Sequence, residues 1–378
     1  MAHPIAANSI PVQHEALRTW ATACLQAVQM PADDAAELAD SLVQTSLWGV
    51  DSHGIARLTH YLDRISRGSI KASPQLQIKR SGPCTAQVAG DAGQGIVVAH
   101  KANRLAMDIA REHGIAAVGV NDSSHCGAIG LYTRAAARQG FVAFAFTHAD
   151  SIAAPHGGTR PFFGTNPISI AFPRARTSAE PPQAGPAPHG GSTRSGVGAD
   201  LYGEPTCLDM ATTSIPWNRV MNARREGHAL PPDVAIDGQG QPTTDADAAI
   251  AVTPLGGEHY GHKGYAMALM VDLLCGPLNG APFGAHIPPM FKDLDAPRRI
   301  GAFFIVIDPA RFAGGALLAG VVAQMAQQLA AEPGSPRMPG DPERDHDAQR
   351  RRDGIPIEPA LAQQMRDWSA RLGVAAPV

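Results

Sequence analysis

At 378 residues the chain is too long for one ordinary core and long enough for two or three packed subdomains. Hydrophobic residues make up 44% and charged residues 17%, with 31 basic against 34 acidic side chains. That balance argues against nucleic acid or an acidic membrane surface as the main partner, since both require a basic excess, and fits an enzyme acting on small molecules.

The chain opens with helical spacing. Leu17, Trp20, Ala21 and Cys24 stripe a helix from His14 to about Gln29. Pro31 starts a second helix, with Asp33 and Asp34 at its positive end and Leu38, Leu42 and Val43 as its buried side. Leu58, Tyr61, Leu62 and Ile65 mark a third, stopped near Gly68, and Asp51-Ser52-His53-Gly54 lies in the turn between the second and third. After Pro83, strands alternate with helices. Strands are expected at 85–88, 115–120, 141–146, 168–172, 206–208 and 303–307, and helices at 96–112, 128–138, 265–274 and 317–330. The segment Arg174 to Glu204, loaded with Pro, Gly and Ser, is expected to be a long surface loop, and the charge-dense run 341–353 a solvated surface. The five cysteines are scattered and form no C-x-x-C pair, which favours a reducing compartment. Met1 to Gln13 has no signal-peptide pattern, and no stretch is apolar for the ~20 residues of a spanning helix. The expectation is a cytoplasmic protein.

Two glycine-rich segments imitate phosphate loops. Gly93-Gln94-Gly95 sits between a strand and a helix, but Val98 holds the place of the third fingerprint glycine and Asn121, not an acid, follows the next strand. A tight turn is the preferred reading. In Gly256 to Gly264, His262 separates Gly261 from Lys263, and Gly264 replaces the magnesium-binding hydroxyl of a P-loop. Lys263 could still hold a phosphate at the start of the next helix, or lie on a solvated loop.

Three polar clusters carry chemistry. Ser52 could steady His53 for proton transfer near neutral pH, or cap a helix beside a surface histidine, and Arg57 could clamp a carboxylate or phosphate. Asn121 to Gly127 places His125 in a strand-to-helix loop as a second acid–base candidate. Asp209, at a strand end, could orient a histidine, bind a ribose or cap a helix. The histidines show no zinc-binding spacing, so no metal is expected, and no G-x-S-x-G elbow supports a hydrolase.

Taken in order, Asp51-Ser52-His53-Gly54 with Arg57, Ser124-His125, Phe163-Gly164-Thr165-Asn166-Pro167, Asp209-Met210-Ala211-Thr212, Gly261-His262-Lys263-Gly264-Tyr265 and Pro339-Gly340-Asp341 resemble the type-2 malate/L-lactate dehydrogenase family over about residues 14–360. The resemblance implies an α/β fold of the α+β type, a non-Rossmann NAD(P)-binding fold with a mainly antiparallel central sheet flanked by helices, and a homodimer. It implies catalytic roles for Ser52, His53, His125 and Asp209. It implies NAD or NADP contacts from Arg57, His125, Asp209, Met210, Ala211, Lys263, Gly264, Pro339, Gly340 and Asp341, and contacts to a small carboxylate substrate from Arg57, Thr165 and Asn166. Two departures are the long 174–204 segment and Asp341 where Glu is more usual. The expected organisation is a helical part at 1–80, a cofactor-binding and catalytic part at 81–300, and a C-terminal part at 301–378 packing back on the first. The expected reaction moves a hydride to or from C2 of a 2-hydroxy or 2-oxo acid, with His53 exchanging the proton. Reduction of a cyclic imino acid is the near alternative, and a nucleotide-binding protein without catalysis the distant one.

Overall fold

The computed structural model describes residues 9–176 and 201–378. The chain begins with β1 (Ile10–Val12), α1 (His14–Ala27), α2 (Ala32–Leu47) and α3 (Leu58–Arg67), and α3 ends where Gly68 turns left-handed at φ 82°. Next come β2 (Gln77–Gly82), β3 (Thr85–Gly93), α4 (Gly95–His113), β4 (Ile115–Ser123), α5 (Gly130–Arg138), β5 (Val142–Thr147), β6 (Ile168–Phe172) and β7 (Thr206–Met210). The remainder is α6 (Trp217–Glu226), β8 (Ala235–Ile236), β9 (Ala251–Val252), α7 (Gly257–Cys275), β10 (Ile300–Ile307), α8 (Gly315–Ala331), α9 (Asp341–Asp353), β11 (Ile355–Ile357) and α10 (Pro359–Leu372).

Seven strands form the central sheet in the order β2-β3-β4-β10-β5-β6-β7. Only β3 and β4 run parallel; the other five pairings are antiparallel, so the sheet is mainly antiparallel as the resemblance implies. Alternation decides the faces. Val118, Val120, Ala143, Ala145, Ala302, Phe304 and Val306 join the apolar side chains of α4 and α5 in one core. The alternate positions Gly119 and Gly301 abut Asn279 and the carbonyl of Cys275, so α7 and the turn after it cover the other face. A second core joins α1, α2 and α3 to Ile355, Ile357, Ala362 and Met365, with β1 paired antiparallel to β11. A third gathers Phe163, Val220, Leu230, Ala235, Val252 and Ala268 around α6 and the β8–β9 ribbon.

Several expectations change. β10 is the middle strand of the sheet, so a boundary at residues 300/301 would cut through it. The charge-dense 341–353 run is helix α9; Arg350 reaches Asp51 (Nη2 to Oδ2 2.9 Å) and Arg351 reaches Gln44 (3.1 Å), docking α9 on α2 and the turn after it. The expected 174–204 loop lies outside the described residues over 177–200. Its ends are paired: Gly203 N–H donates to Arg174 O at 2.9 Å and Arg176 N–H to Leu201 O at 3.0 Å. Glu204, at the C-terminal end of that segment, is clasped between Arg134 (2.7 Å) and Arg138 (2.8 Å). No helix among the described residues is long and apolar enough to cross a membrane.

Candidate active site

The Asp51–His53 segment is a single 3-10 turn, followed by a second at Ile55–Arg57 that leads into α3. Gly54 separates them because a Cβ there would lie 2.1 Å from Ser46 Oγ, the atom that accepts the Ile55 N–H at 2.9 Å. Arg350 grips Asp51 from α9, so the turn is held at both ends. Ser52 Oγ lies 2.8 Å from His53 Nδ1, and the Arg57 Nε–H donates to the Ser52 carbonyl at 2.5 Å.

The second histidine arrives from across the fold. The loop after β4 stacks the His125 ring on His53, with centroids 5.3 Å apart and planes 29° from parallel. His125 Nδ1 lies 2.7 Å from the hydroxyl of Tyr61 and accepts the Gly127 N–H at 3.3 Å. Burial lowers both histidines: His53 falls to about 3, with the Arg57 charge adding to desolvation, and His125 falls well below its ordinary value. The two stacked rings are therefore neutral imidazoles at pH 7.

A cationic wall adjoins them. Beyond its Nε–H bond to Ser52, Arg57 has loose partners at its terminal nitrogens: Nη2 is 3.5 Å from Asn218 Oδ1, Nη1 is 4.0 Å from Met290 Sδ, and the guanidinium lies 5.6 Å from the Phe291 ring. Met290 and Phe291 belong to a strap that two buried arginines hold. Arg64 donates to the carbonyls of Met290 (2.9 Å) and Ala296 (3.1 Å). Arg298 donates to Pro288 O (3.1 Å) and pairs with Asp150, which also accepts the Met290 N–H (3.1 Å).

Asp209 lies within β7, one residue before its end. It is exposed on its open side, and its Oδ2 accepts the N–H of Gly130, the first residue of α5, at 2.7 Å. The carboxylate thus caps the helix that the His125 loop enters. Desolvation raises its pKa to about 6, against the pull of the Gly130 amide and Arg134.

The other expected residues divide. Pro339 O accepts the Cys207 N–H at 2.9 Å, which sets the 339–341 turn against β7, the strand of Asp209 and Met210. Asp341 is engaged by Arg174 (3.0 Å), Arg344 (2.9 Å) and the Met338 N–H (3.3 Å). The segment after β7 runs beside the entry to α7, Leu255 N–H donating to Thr212 O at 2.9 Å. Lys263 is exposed, but it does not start a helix: α7 begins at Gly257, so Lys263 stands in the second turn with Nζ 5.5 Å from the Tyr260 ring. Gly264 lets that turn touch the Leu255 backbone, which a Cβ would meet at 2.4 Å. Asn166 is fully buried and its amide is spent on Ala268 O (3.0 Å), Asp272 (3.3 Å) and the Ala149 N–H (3.3 Å). It fixes the loop and offers no face to a substrate, and the neighbouring Thr165 carbonyl is taken by Thr212.

The decoy at Gly93 to Gly95 is closed for a physical reason. Gln94 Oε1 accepts the N–H groups of Ile96 (2.6 Å) and Val97 (3.2 Å), and Ser124 Oγ accepts that of Gly95 (2.8 Å). The amides that would cradle a phosphate at the start of α4 are already bonded. Elsewhere, the Arg57 guanidinium is half-buried, and the Lys263 ammonium and the Asp209 carboxylate are exposed, so these groups are open to an anionic or hydroxyl-bearing ligand. Among the described residues, no group of three or more His, Cys, Asp or Glu could hold a metal ion.

Sequence reasoning took Tyr61 for one more member of an apolar stripe and passed over Asn218, Asp150 and Arg298. For Tyr61 a signal existed: it stands four residues after Arg57, one helical turn on. The others become neighbours only through folding.

Comparison with known proteins gives a consistent result. A family model described as malate/L-lactate dehydrogenase matches residues 12–184 and 181–366. The chain is 33% identical over 299 residues to ureidoglycolate dehydrogenase (NAD(+)) of Escherichia coli (strain K12), covering 79% of this chain and 77% of that protein. Among solved structures, sulfolactate dehydrogenase from Methanocaldococcus jannaschii superimposes with a TM-score of 0.83 at 28% identity, covering 97% and 98% of the two chains. The delta1-piperideine-2-carboxylate reductase from Pseudomonas syringae pvar. tomato gives 0.80 at 28% identity, covering 95% and 100%.

Proposed function

The chain belongs to the malate/L-lactate dehydrogenase family, and on that premise we propose that it is an NAD(P)-dependent oxidoreductase acting at C2 of a small 2-hydroxy or 2-oxo carboxylic acid. The observation that carries this reading is the stacked pair of neutral imidazoles, His53 and His125, beside a loosely partnered Arg57.

A nicotinamide, when bound, supplies or accepts the hydride at C2. The rest falls to the protein. Arg57 holds the substrate carboxylate in a charge-assisted pair, with Asn218 beside it. His53 exchanges the proton on the C2 oxygen. Its Nδ1 faces a hydroxyl, which can donate or accept, so Nε2 can release a proton while Nδ1 takes one from Ser52 and the partly exposed Ser52 regains one from solvent, or the reverse with the proton leaving to solvent. His125 faces the same oxygen and stabilises charge developing there. Lys263 and the segment 209–211 hold the cofactor, with the turn at Pro339 to Asp341 supporting that edge.

The same hydride geometry serves a C=N acceptor, and the likeness to a piperideine-carboxylate reductase favours a cyclic imino acid as the second substrate class. Absorbance of the reduced nicotinamide, with NADH and NADPH, against a panel of 2-oxo acids, cyclic imines and oxidised ureidoglycolate tests both. Consumption with a 2-oxo acid supports the first reading, consumption with imines alone the second. Tight cofactor binding without consumption would leave a nucleotide-binding protein. We also propose a homodimer. α8 exposes Leu317, Val321 and Met325, and Phe312 just before it is 74% exposed, an apolar face suited to a second copy. A monomer by light scattering would contradict this.

A further inference from the structure

We propose that Tyr61 is a positioning residue that locks His125 as its Nε2–H tautomer, so that His125 presents a hydrogen-bond donor, never a lone pair, to the C2 oxygen. The proposal rests on the reading that His125 faces the substrate.

The geometry around one nitrogen carries the argument. His125 Nδ1 meets two groups, the Tyr61 hydroxyl at 2.7 Å and the Gly127 backbone N–H at 3.3 Å. A hydroxyl can donate or accept; a backbone N–H can only donate. A proton on Nδ1 would set two donors against each other across the 3.3 Å contact, so Nδ1 accepts and the Tyr61 O–H, the closer partner at 2.7 Å, donates the stronger of its two bonds. The single proton of a neutral ring then sits on Nε2. The ring stays neutral because burial opposes its charge, and the Arg57 and Arg298 guanidiniums add to that opposition. The phenol is fixed in place and in charge: Tyr61 is 1% exposed on α3, and burial raises its pKa, so it keeps its proton.

The two stacked histidines are thereby unlike. His53 has a hydroxyl partner and can change tautomer, as a proton carrier must. His125 has two donors on the same nitrogen, the Tyr61 hydroxyl and the Gly127 amide, and does not change while both are in place. It makes and breaks no bond; its fixed N–H stabilises negative charge on the C2 oxygen as a carbonyl is reduced, and in the reverse direction selects the alkoxide.

The test uses the full chain labelled with 15N in the histidine rings, the His125 signals being identified by their loss in His125→Gln. Wild-type His125 should show a protonated Nε2 and a bare Nδ1 from roughly pH 5 to 8, the span in which a free histidine titrates. Tyr61→Phe removes the stronger donor, so His125 should become a mixture of tautomers. On the substrate found by the panel, kcat should fall roughly 10–100-fold, the usual cost of removing a group that orients a ring, with KM and cofactor affinity little changed. An Nδ1–H ring in the wild type overturns the proposal. So does an unchanged tautomer, or an unchanged kcat, in Tyr61→Phe. The wild-type spectrum needs no substrate and only His125→Gln for its assignment, so it decides the tautomer even if Tyr61→Phe fails to fold or the assigned reaction is wrong.

Discussion

Replacing His53 by Gln keeps the size of the side chain and its place against His125 while removing a group that can carry a proton. A positioned acid or base contributes ~10²–10⁴-fold, which is ~2.7–5.4 kcal/mol at ~1.36 kcal/mol per tenfold. The structure supplies an internal scale. Ser52 touches the same ring through one hydrogen bond of 2.8 Å. One such bond is worth about 0.5–1.5 kcal/mol, so Ser52→Ala should slow turnover roughly 2- to 13-fold. If His53 carries the proton and Ser52 only assists, His53→Gln should be the slower variant by at least about an order of magnitude. Initial rates of nicotinamide oxidation measure both, and fluorescence titration of the reduced cofactor shows whether binding survives. Near-normal turnover in His53→Gln would refute the reasoning and move proton transfer to Asp209, or to His125 with the loss of its fixed-donor role. Equal losses in the two variants would refute it as well, because the serine would then matter as much as the ring.

Three other outcomes are expected. Lys263→Ala should weaken cofactor binding about tenfold at low salt, the low end of a charge-assisted contact of ~1.5–3 kcal/mol. Because Lys263 is exposed, the difference should shrink as salt rises; equal affinities in fluorescence titration would remove it from the site. Arg134→Met strips one partner from Glu204, which keeps Arg138, so stability in a urea titration should drop by about 3 kcal/mol, the low end for a broken buried pair. A loss within experimental scatter would show that the partners Glu204 keeps suffice. His100, lowered to about 4 by burial against the opposing pull of Glu37, sets a pH dependence. The unfolded chain takes up this proton near its ordinary value of about 6.5 and the folded chain does not. The folded state should therefore lose stability as pH falls through that window, by on the order of 1.4 kcal/mol per pH unit from this group. His100→Gln should flatten the slope of unfolding free energy against pH, and an unaltered slope would contradict the assignment.

Local pattern made much of the fold legible. Apolar periodicity located α1, α2, α3, α4 and α8 to within a few residues, and β6 at its observed limits. The antiparallel character of the sheet came from resemblance alone, because strand order is fixed by contacts far apart in sequence. Glycines misled at α7: four of them between 256 and 264 read as a loop. A helix forms there because Gly264 must pass close to the Leu255 backbone and Gly257 takes a positive φ at the helix start. Asn166 read as a substrate contact because an exposed amide and a buried one look alike in sequence, and only burial against Asp272 and Ala268 separates them. The charged run of α9 read as solvated surface, yet Arg350 reaches back 299 residues to steady the turn of His53. The site itself was half visible. Ser52, His53, Arg57 and His125 could be chosen by residue type, but their stacking and the partner of each ring nitrogen could not.

The most direct measurement follows the transferred atom. Reduced nicotinamide carrying deuterium on the transferring side of C4 is incubated with the enzyme and the 2-oxo acid it consumes, and the product is analysed by mass spectrometry and NMR. The account predicts one deuterium on C2 of the resulting 2-hydroxy acid and none washed into water. A product without deuterium at C2, or nicotinamide oxidised with no 2-hydroxy acid formed, would contradict hydride transfer at C2 and with it the roles given to His53, His125 and Arg57.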